Sequence, residues 1–133
     1  MSLIFDTAVL IDVENREHRT LAKLKELAML YPGPGQITFM TYFEFLFGLN
    51  ERSPRNKERA LAFLNHFECV QTTRMTAQVL AELKHNYERA GKSLPLADLL
   101  IAAQVIENRG TLVTRDTDFE RIKELRKIVL HDR

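Results

Sequence analysis

Aspartate is a poor former of helices and strands, so each one inside or beside an apolar segment needs a local reason. The chain has 12 Glu and only six Asp, and four of those six (Asp6, Asp98, Asp116, Asp118) border or interrupt apolar runs; the other two are Asp12 and Asp132. Carboxylates brought within a few ångströms repel one another, and a shared divalent cation removes that cost. An all-oxygen cluster suits Mg²⁺ or Mn²⁺ rather than zinc, which prefers His and Cys. Such ions activate water, hold a phosphate and stabilise a leaving oxygen. No residue pairs as a covalent nucleophile with its base. The single cysteine, Cys69, excludes an internal disulfide and a thiolate zinc site, and reads as a small core residue. His18, His66, His85 and His131 show no ligand spacing and read as surface or edge residues.

The elements that would position these acids follow from apolar spacing. Residues 3–6 read as a buried strand, followed by a helix from Asp6-Thr7 through Val13 and another over 17–30. Pro32-Gly33-Pro34-Gly35 is a loop, residues 36–39 a strand, and Thr41 caps a helix through about Asn50. Pro54 starts the next helix, and 69–71 is a weak strand. A helix over 76–90 ends at Gly91, and Pro95 opens an apolar one to about Asn108, stopped by Gly110. Residues 111–114 form a strand, 118–125 a short helix, and 127–131 a final strand. Strands alternating with helices imply right-handed crossovers. The expectation is one α/β domain over 1–133, a three-layer α/β/α arrangement around a central parallel sheet of four or five strands. The crevice of such a sheet opens at the carboxyl ends of its strands. Asp6, Glu44, Asp98 and Asp116 would meet there.

Each acid also has a plainer reading. Asp6 is a favoured N-cap. Asp98 gains about 0.3–1 kcal/mol from a helix dipole, although an acid so embedded in apolar sequence is expensive without a partner. Thr41-x-x-Glu44 matches a capping box. Asp116 suits an Asx-turn, and Asp118 stands open between ligand and surface residue. Thr7 and Thr114 are structural hydroxyls or donors that orient carboxylates or water. Phe39, Phe43 and Phe47 read as mostly core, with part of the series free to line a groove for a partner helix.

Four segments carry a family resemblance: Ile4-Phe5-Asp6-Thr7, then Thr41-Tyr42-Phe43-Glu44-Phe45-Leu46-Phe47-Gly48, then Leu96-Ala97-Asp98-Leu99-Leu100-Ile101-Ala102-Ala103, and last Leu112-Val113-Thr114-Arg115-Asp116-Thr117-Asp118-Phe119. In this order they resemble a PIN-domain ribonuclease, specifically the VapC toxins of toxin–antitoxin pairs. Tyr42 departs from the small aliphatic residue common two positions before the glutamate. The resemblance implies a metal-dependent endoribonuclease in which Asp6, Glu44, Asp98 and Asp116, with Asp118, bind Mg²⁺ or Mn²⁺. It implies RNA as substrate, with 5′-phosphate and 3′-hydroxyl products. It also implies a homodimer restrained by a cognate VapB-like antitoxin.

Charge fits that expectation. The formal net charge is +1, from 19 Lys+Arg and 18 Asp+Glu; without the five candidate acids, 13 acids face 19 bases. Arg52, Arg55, Lys57 and Arg59, and Arg115, Arg121, Lys123, Arg126 and Lys127, could hold a nucleic-acid backbone or simply face solvent. No apolar run approaches the roughly 20 residues that span a bilayer, and no secretory signal is evident, so a cytoplasmic location is the default. Two rivals stand beside the enzyme. One is a non-catalytic RNA- or protein-binding domain of the same fold. The other is a receiver-like acidic Mg²⁺ module, which wants an Asp ending the third strand, where Thr72-Thr73 stands.

Overall fold

The computed structural model describes residues 2–131, so Asp132 lies outside the described residues. Five parallel strands, β1 (Leu3–Phe5), β2 (Gln36–Ile37), β3 (Glu68–Cys69), β4 (Thr111–Thr114) and β5 (Lys127–Val129), form one sheet in the order β3-β2-β1-β4-β5. Six α-helices join them: α1 (Thr7–Glu14), α2 (His18–Leu30), α3 (Phe39–Gly48), α4 (Pro54–Leu64), α5 (Arg74–Arg89) and α6 (Leu96–Glu107). This is the expected α/β/α arrangement. The order also removes the receiver-like rival, whose sheet runs 2-1-3-4-5.

Side chains alternate across a strand with a period of two, and that alternation divides the core. Ile4 and Leu112 point into the layer holding Leu83, Leu99, Ala102, Val105 and Phe119. Leu3, Phe5 and Val113 point into the layer holding Val9, Leu10, Phe45 and Leu64. The central strands β1 and β4 are buried throughout. Their carboxyl ends therefore occupy the middle of the edge where α1 and the loop after β4 begin.

Several boundaries differ from expectation, each for a local reason. The helix expected from Thr41 starts at Phe39: Thr38 is its N-cap, its hydroxyl accepting from the Thr41 N–H at 3.2 Å. The buried Gln104 amide of α6 reaches across to accept from the Phe39 N–H at 3.0 Å, and its nitrogen donates to Thr72 and to the Val70 carbonyl. The strand before it is thus cut to Gln36–Ile37. α5 starts at Arg74, two residues early, because Thr73 and Thr76 form a capping box. The expected helix over 118–125 is a 3₁₀ helix, Thr117–Arg121, with Tyr87 pinning the chain that follows it: the Lys123 N–H donates to the Tyr87 hydroxyl. The last strand stops at Val129. After α6 the left-handed residue is Arg109 (φ 54°), not Gly110. Gly110 serves close packing instead, since a Cβ there would lie 2.6 Å from Ile4 Cδ1.

The aromatic series on α3 corrects a further expectation. Phe39, Phe43 and Phe47 are 53%, 50% and 67% exposed, and the last two stack on each other at 6.0 Å. The core face is Thr41 and Phe45. Cys69 is half-buried on the edge strand β3 rather than enclosed. The four histidines are exposed, as expected.

Candidate active site

Asp6 follows β1 directly, and its backbone N–H continues the ladder to the Val113 carbonyl at 3.0 Å. The carboxylate is the N-cap of α1, accepting from the Thr7 N–H at 2.9 Å. Its other oxygen accepts from the Thr114 hydroxyl, at the end of β4, at 2.7 Å. The same hydroxyl accepts from the Asp116 N–H at 3.0 Å. Thr114 thereby links Asp6 to the turn that carries Asp116. Capping and a place in the acidic crevice are thus compatible for Asp6. Its burial holds the pKa above the ordinary carboxylate value, against the lowering pull of the Thr114 and Thr7 hydrogen bonds; Glu44 and Asp116 add to the upward shift.

Glu44 is the sixth residue of α3, in its second turn rather than its first. The capping box with Thr41 is therefore not formed. Glu44 instead accepts from the Thr7 hydroxyl at 2.6 Å, so the two threonines flanking Asp6 serve different neighbours. On the other side, Asp98 in the first turn of α6 stands with Asp116 and Asp118, and one carboxylate oxygen from each lies within 4.8 Å of the others. Burial raises the Asp98 pKa, with Asp116, Asp118 and Asp6 adding to the rise and Arg121 opposing it. Asp116 caps the 3₁₀ helix by accepting from the Asp118 N–H at 2.9 Å, which is an Asx-turn, while its second oxygen stays available. The five expected acids thus share one edge. Three of them form a compact group, and Asp6 with Glu44 sits beside it.

The donor set is oxygen throughout, and burial, with neighbouring carboxylates adding to it, raises the pKa of Asp6 and Asp98. Both properties fit a hard divalent cation such as Mg²⁺ or Mn²⁺. Asp98, Asp116 and Asp118 could hold such an ion, with Asp6 adjoining.

Sequence reasoning passed over Asp12. It is buried on α1, where it accepts from the Thr20 hydroxyl at 2.7 Å and lies 3.3 Å from Arg115 Nε. That nitrogen is off the line of a hydrogen bond but within ion-pair range. Arg115 stands between Thr114 and Asp116, so the pair ties the turn bearing two acids to α1 and α2. An aspartate between Ile11 and Val13 was the signal in the sequence.

The chain resembles known proteins along nearly its whole length. The VapBC2 structure from Rickettsia felis, bound to a DNA fragment from its promoter, superposes with a TM-score of 0.83 at 22% identity, over 98% of this chain and 99% of that one. VapBC-1 from nontypeable Haemophilus influenzae gives 0.79 at 18%, covering 97% and 98%. A toxin–antitoxin complex from Klebsiella pneumoniae gives 0.72 at 26%, covering 93% and 95%. No curated protein matches the chain in sequence. Residues 3–125 match the PIN domain model, and the chain belongs to the PIN domain family.

Proposed function

We propose that the chain is a VapC-type toxin: a Mg²⁺- or Mn²⁺-dependent endoribonuclease of the cytoplasm, restrained by a VapB-like antitoxin. The observation that carries this reading is the meeting of Asp98, Asp116 and Asp118 beside the buried Asp6 at the strand ends of a PIN domain. Complexes of toxin with antitoxin among the similar structures support the partner. The resemblance also implies a homodimer, and the exposed Phe39, Phe43 and Phe47 face of α3 is the surface that a second copy would cover.

When bound, the cation supplies Lewis acidity to the scissile phosphodiester and to the attacking water. Asp98, Asp116 and Asp118 would hold it, with Asp6 completing the acidic wall. Thr114 keeps the Asp6 carboxylate turned toward that wall, and Thr7 keeps Glu44 beside it. Glu44, exposed and with one oxygen free of Thr7, is placed to orient a water or take its proton. Attack by water with O3′ as the leaving oxygen would give products with a 5′-phosphate and a 3′-hydroxyl.

The test is cleavage of cellular RNA with Mn²⁺ and with chelator, by the wild type and by Asp6→Ala and Asp98→Ala. Wild-type cleavage is expected only with metal. Each variant should remain folded by circular dichroism and lose activity by at least about 100-fold. Chelator-insensitive cleavage, or a variant with wild-type activity, would overturn the assignment. A metal-loaded wild type that binds RNA without cutting it would favour the non-catalytic domain.

A further inference from the structure

At the far end of α1 from Asp6 lies a second, differently charged feature. The C-terminal end of α1 and the residues after it, with Arg52 and one face of α4, enclose a recess of about 620 Å³. Arg16, Arg52, Arg59, Asn15, Asn56 and Phe63 line it. Arg52 is already committed, donating to both Glu14 oxygens at 2.6 and 2.9 Å and covering the Phe45 ring at 5.7 Å. That pair cancels Glu14, the one acid among the described residues of the wall. Arg16 and Arg59 are exposed and form no ion pair among the described residues. The recess therefore carries about two uncompensated positive charges. Arg16 is also held at φ 55°, immediately after the C-cap Asn15. Glycine or asparagine is the low-cost residue there. An arginine at this position carries the backbone cost and lines the recess.

We propose that this recess is a phosphodiester-binding subsite for single-stranded RNA. The inference rests on the ribonuclease reading and deepens it by placing part of the substrate. Guanidinium forks match phosphate oxygens bidentately. The two Asn amides supply donors and acceptors suited to base edges, and the half-buried Phe63 ring supplies an apolar wall for a base or ribose. α1 connects the subsite to the acids: Asp6 caps its start, and eight residues rise about 12 Å to the recess. A strand whose scissile bond lies at the acids would thus reach the recess within a few nucleotides.

The experiment is fluorescence anisotropy of a labelled oligouridylate binding the full chain in EDTA, at several salt concentrations. In EDTA the measurement does not depend on metal loading. Neutralising two phosphate contacts on a single strand should make the slope of log K against log salt shallower by about 1.4, and weaken binding roughly tenfold near physiological salt. The double variant Arg16→Gln/Arg59→Gln is expected to show both, with unchanged melting temperature and Mn²⁺ affinity. Arg16→Lys/Arg59→Lys should restore most of the slope. A glutamine variant with wild-type affinity and slope overturns the subsite while leaving the ribonuclease reading to its own cleavage test. Wild-type cleavage without RNA affinity in EDTA also overturns the subsite. Glutamine variants that bind RNA normally but lose a co-expressed antitoxin would assign the recess to an acidic stretch of that protein, against this proposal.

Discussion

Asp98 carries the electrostatic consequence of the cluster at the scale of a single residue. Its pKa is raised by burial first and by Asp116, Asp118 and Asp6 next, so the native state binds its proton more tightly than the unfolded chain does. Stability from that proton is fully present below the ordinary carboxylate pKa, and is lost as pH rises through the raised value. Metal-free protein at neutral pH therefore carries the cost of an ionised, crowded Asp98. Asp98→Asn is expected to melt a few degrees higher than the wild type at neutral pH without metal. The gap should close toward pH 3–4, near the ordinary carboxylate value of about 3.9. Adding Mn²⁺ should raise the wild-type melting temperature more than the variant's, because a ligand that binds only the native state stabilises it. A gap independent of pH, or a lower-melting variant at neutral pH, would count against the repulsion. The candidate acids themselves were legible in sequence because an aspartate among apolar residues is costly without a purpose. For Glu44 the sequence left two readings, a site acid and a capping box with Thr41, and the structure removes the second because Thr38 takes the cap.

At the scale of elements, the turn after β4 matters most. It bears Thr114, Arg115, Asp116 and Asp118, and two contacts anchor it: Thr114 to Asp6 at the start of α1, and Arg115 to the buried Asp12 farther along the same helix. Removing the arginine takes away the guanidinium 3.3 Å from the buried Asp12 carboxylate, which also accepts from Thr20. Breaking a fully buried pair costs about 3–5 kcal/mol. The Arg115 side chain keeps 26% of its surface in solvent, so Arg115→Ala is expected to cost less, about 2 kcal/mol, in urea denaturation. Asp12→Asn/Arg115→Met, which removes both charges, should recover part of that loss. A single variant as stable as the wild type would show that the pair does not brace the turn. Gln104 plays a similar bracing part for α3, joining Phe39, Val70 and Thr72. Such a buried amide has no one-dimensional signature, because its three partners are more than 30 positions away.

For the whole molecule, the open question is what covers α3. Phe39, Phe43 and Phe47 recur at intervals of four, but so do the buried Thr41, Phe45 and Leu49. Either stripe could have faced the core, which is why the sequence misassigned the first one. Three exposed phenylalanines on one helix are a surface that a soluble monomer rarely leaves open. In the dimer reading, sedimentation should give a mass near twice 15.4 kDa for the wild type. Phe43→Asp/Phe47→Asp should sediment as a monomer with an unchanged far-ultraviolet spectrum. A monomeric wild type, or a dimeric double variant, would remove this face from the dimer.

Local chemistry was enough to determine the α/β class, the alternation of strands and helices, and the identity of the acids. Apolar period, caps and turn residues act over a few positions, and each leaves its mark in the sequence. Tertiary structure alone decided which faces of the apolar helices were buried, that Asp98, Asp116 and Asp118 form the compact group, and that Asp12 braces Arg115. Those outcomes depend on which distant segments share the limited interior volume. Packing at near-crystalline density settles that competition between surfaces, and no local pattern records its result.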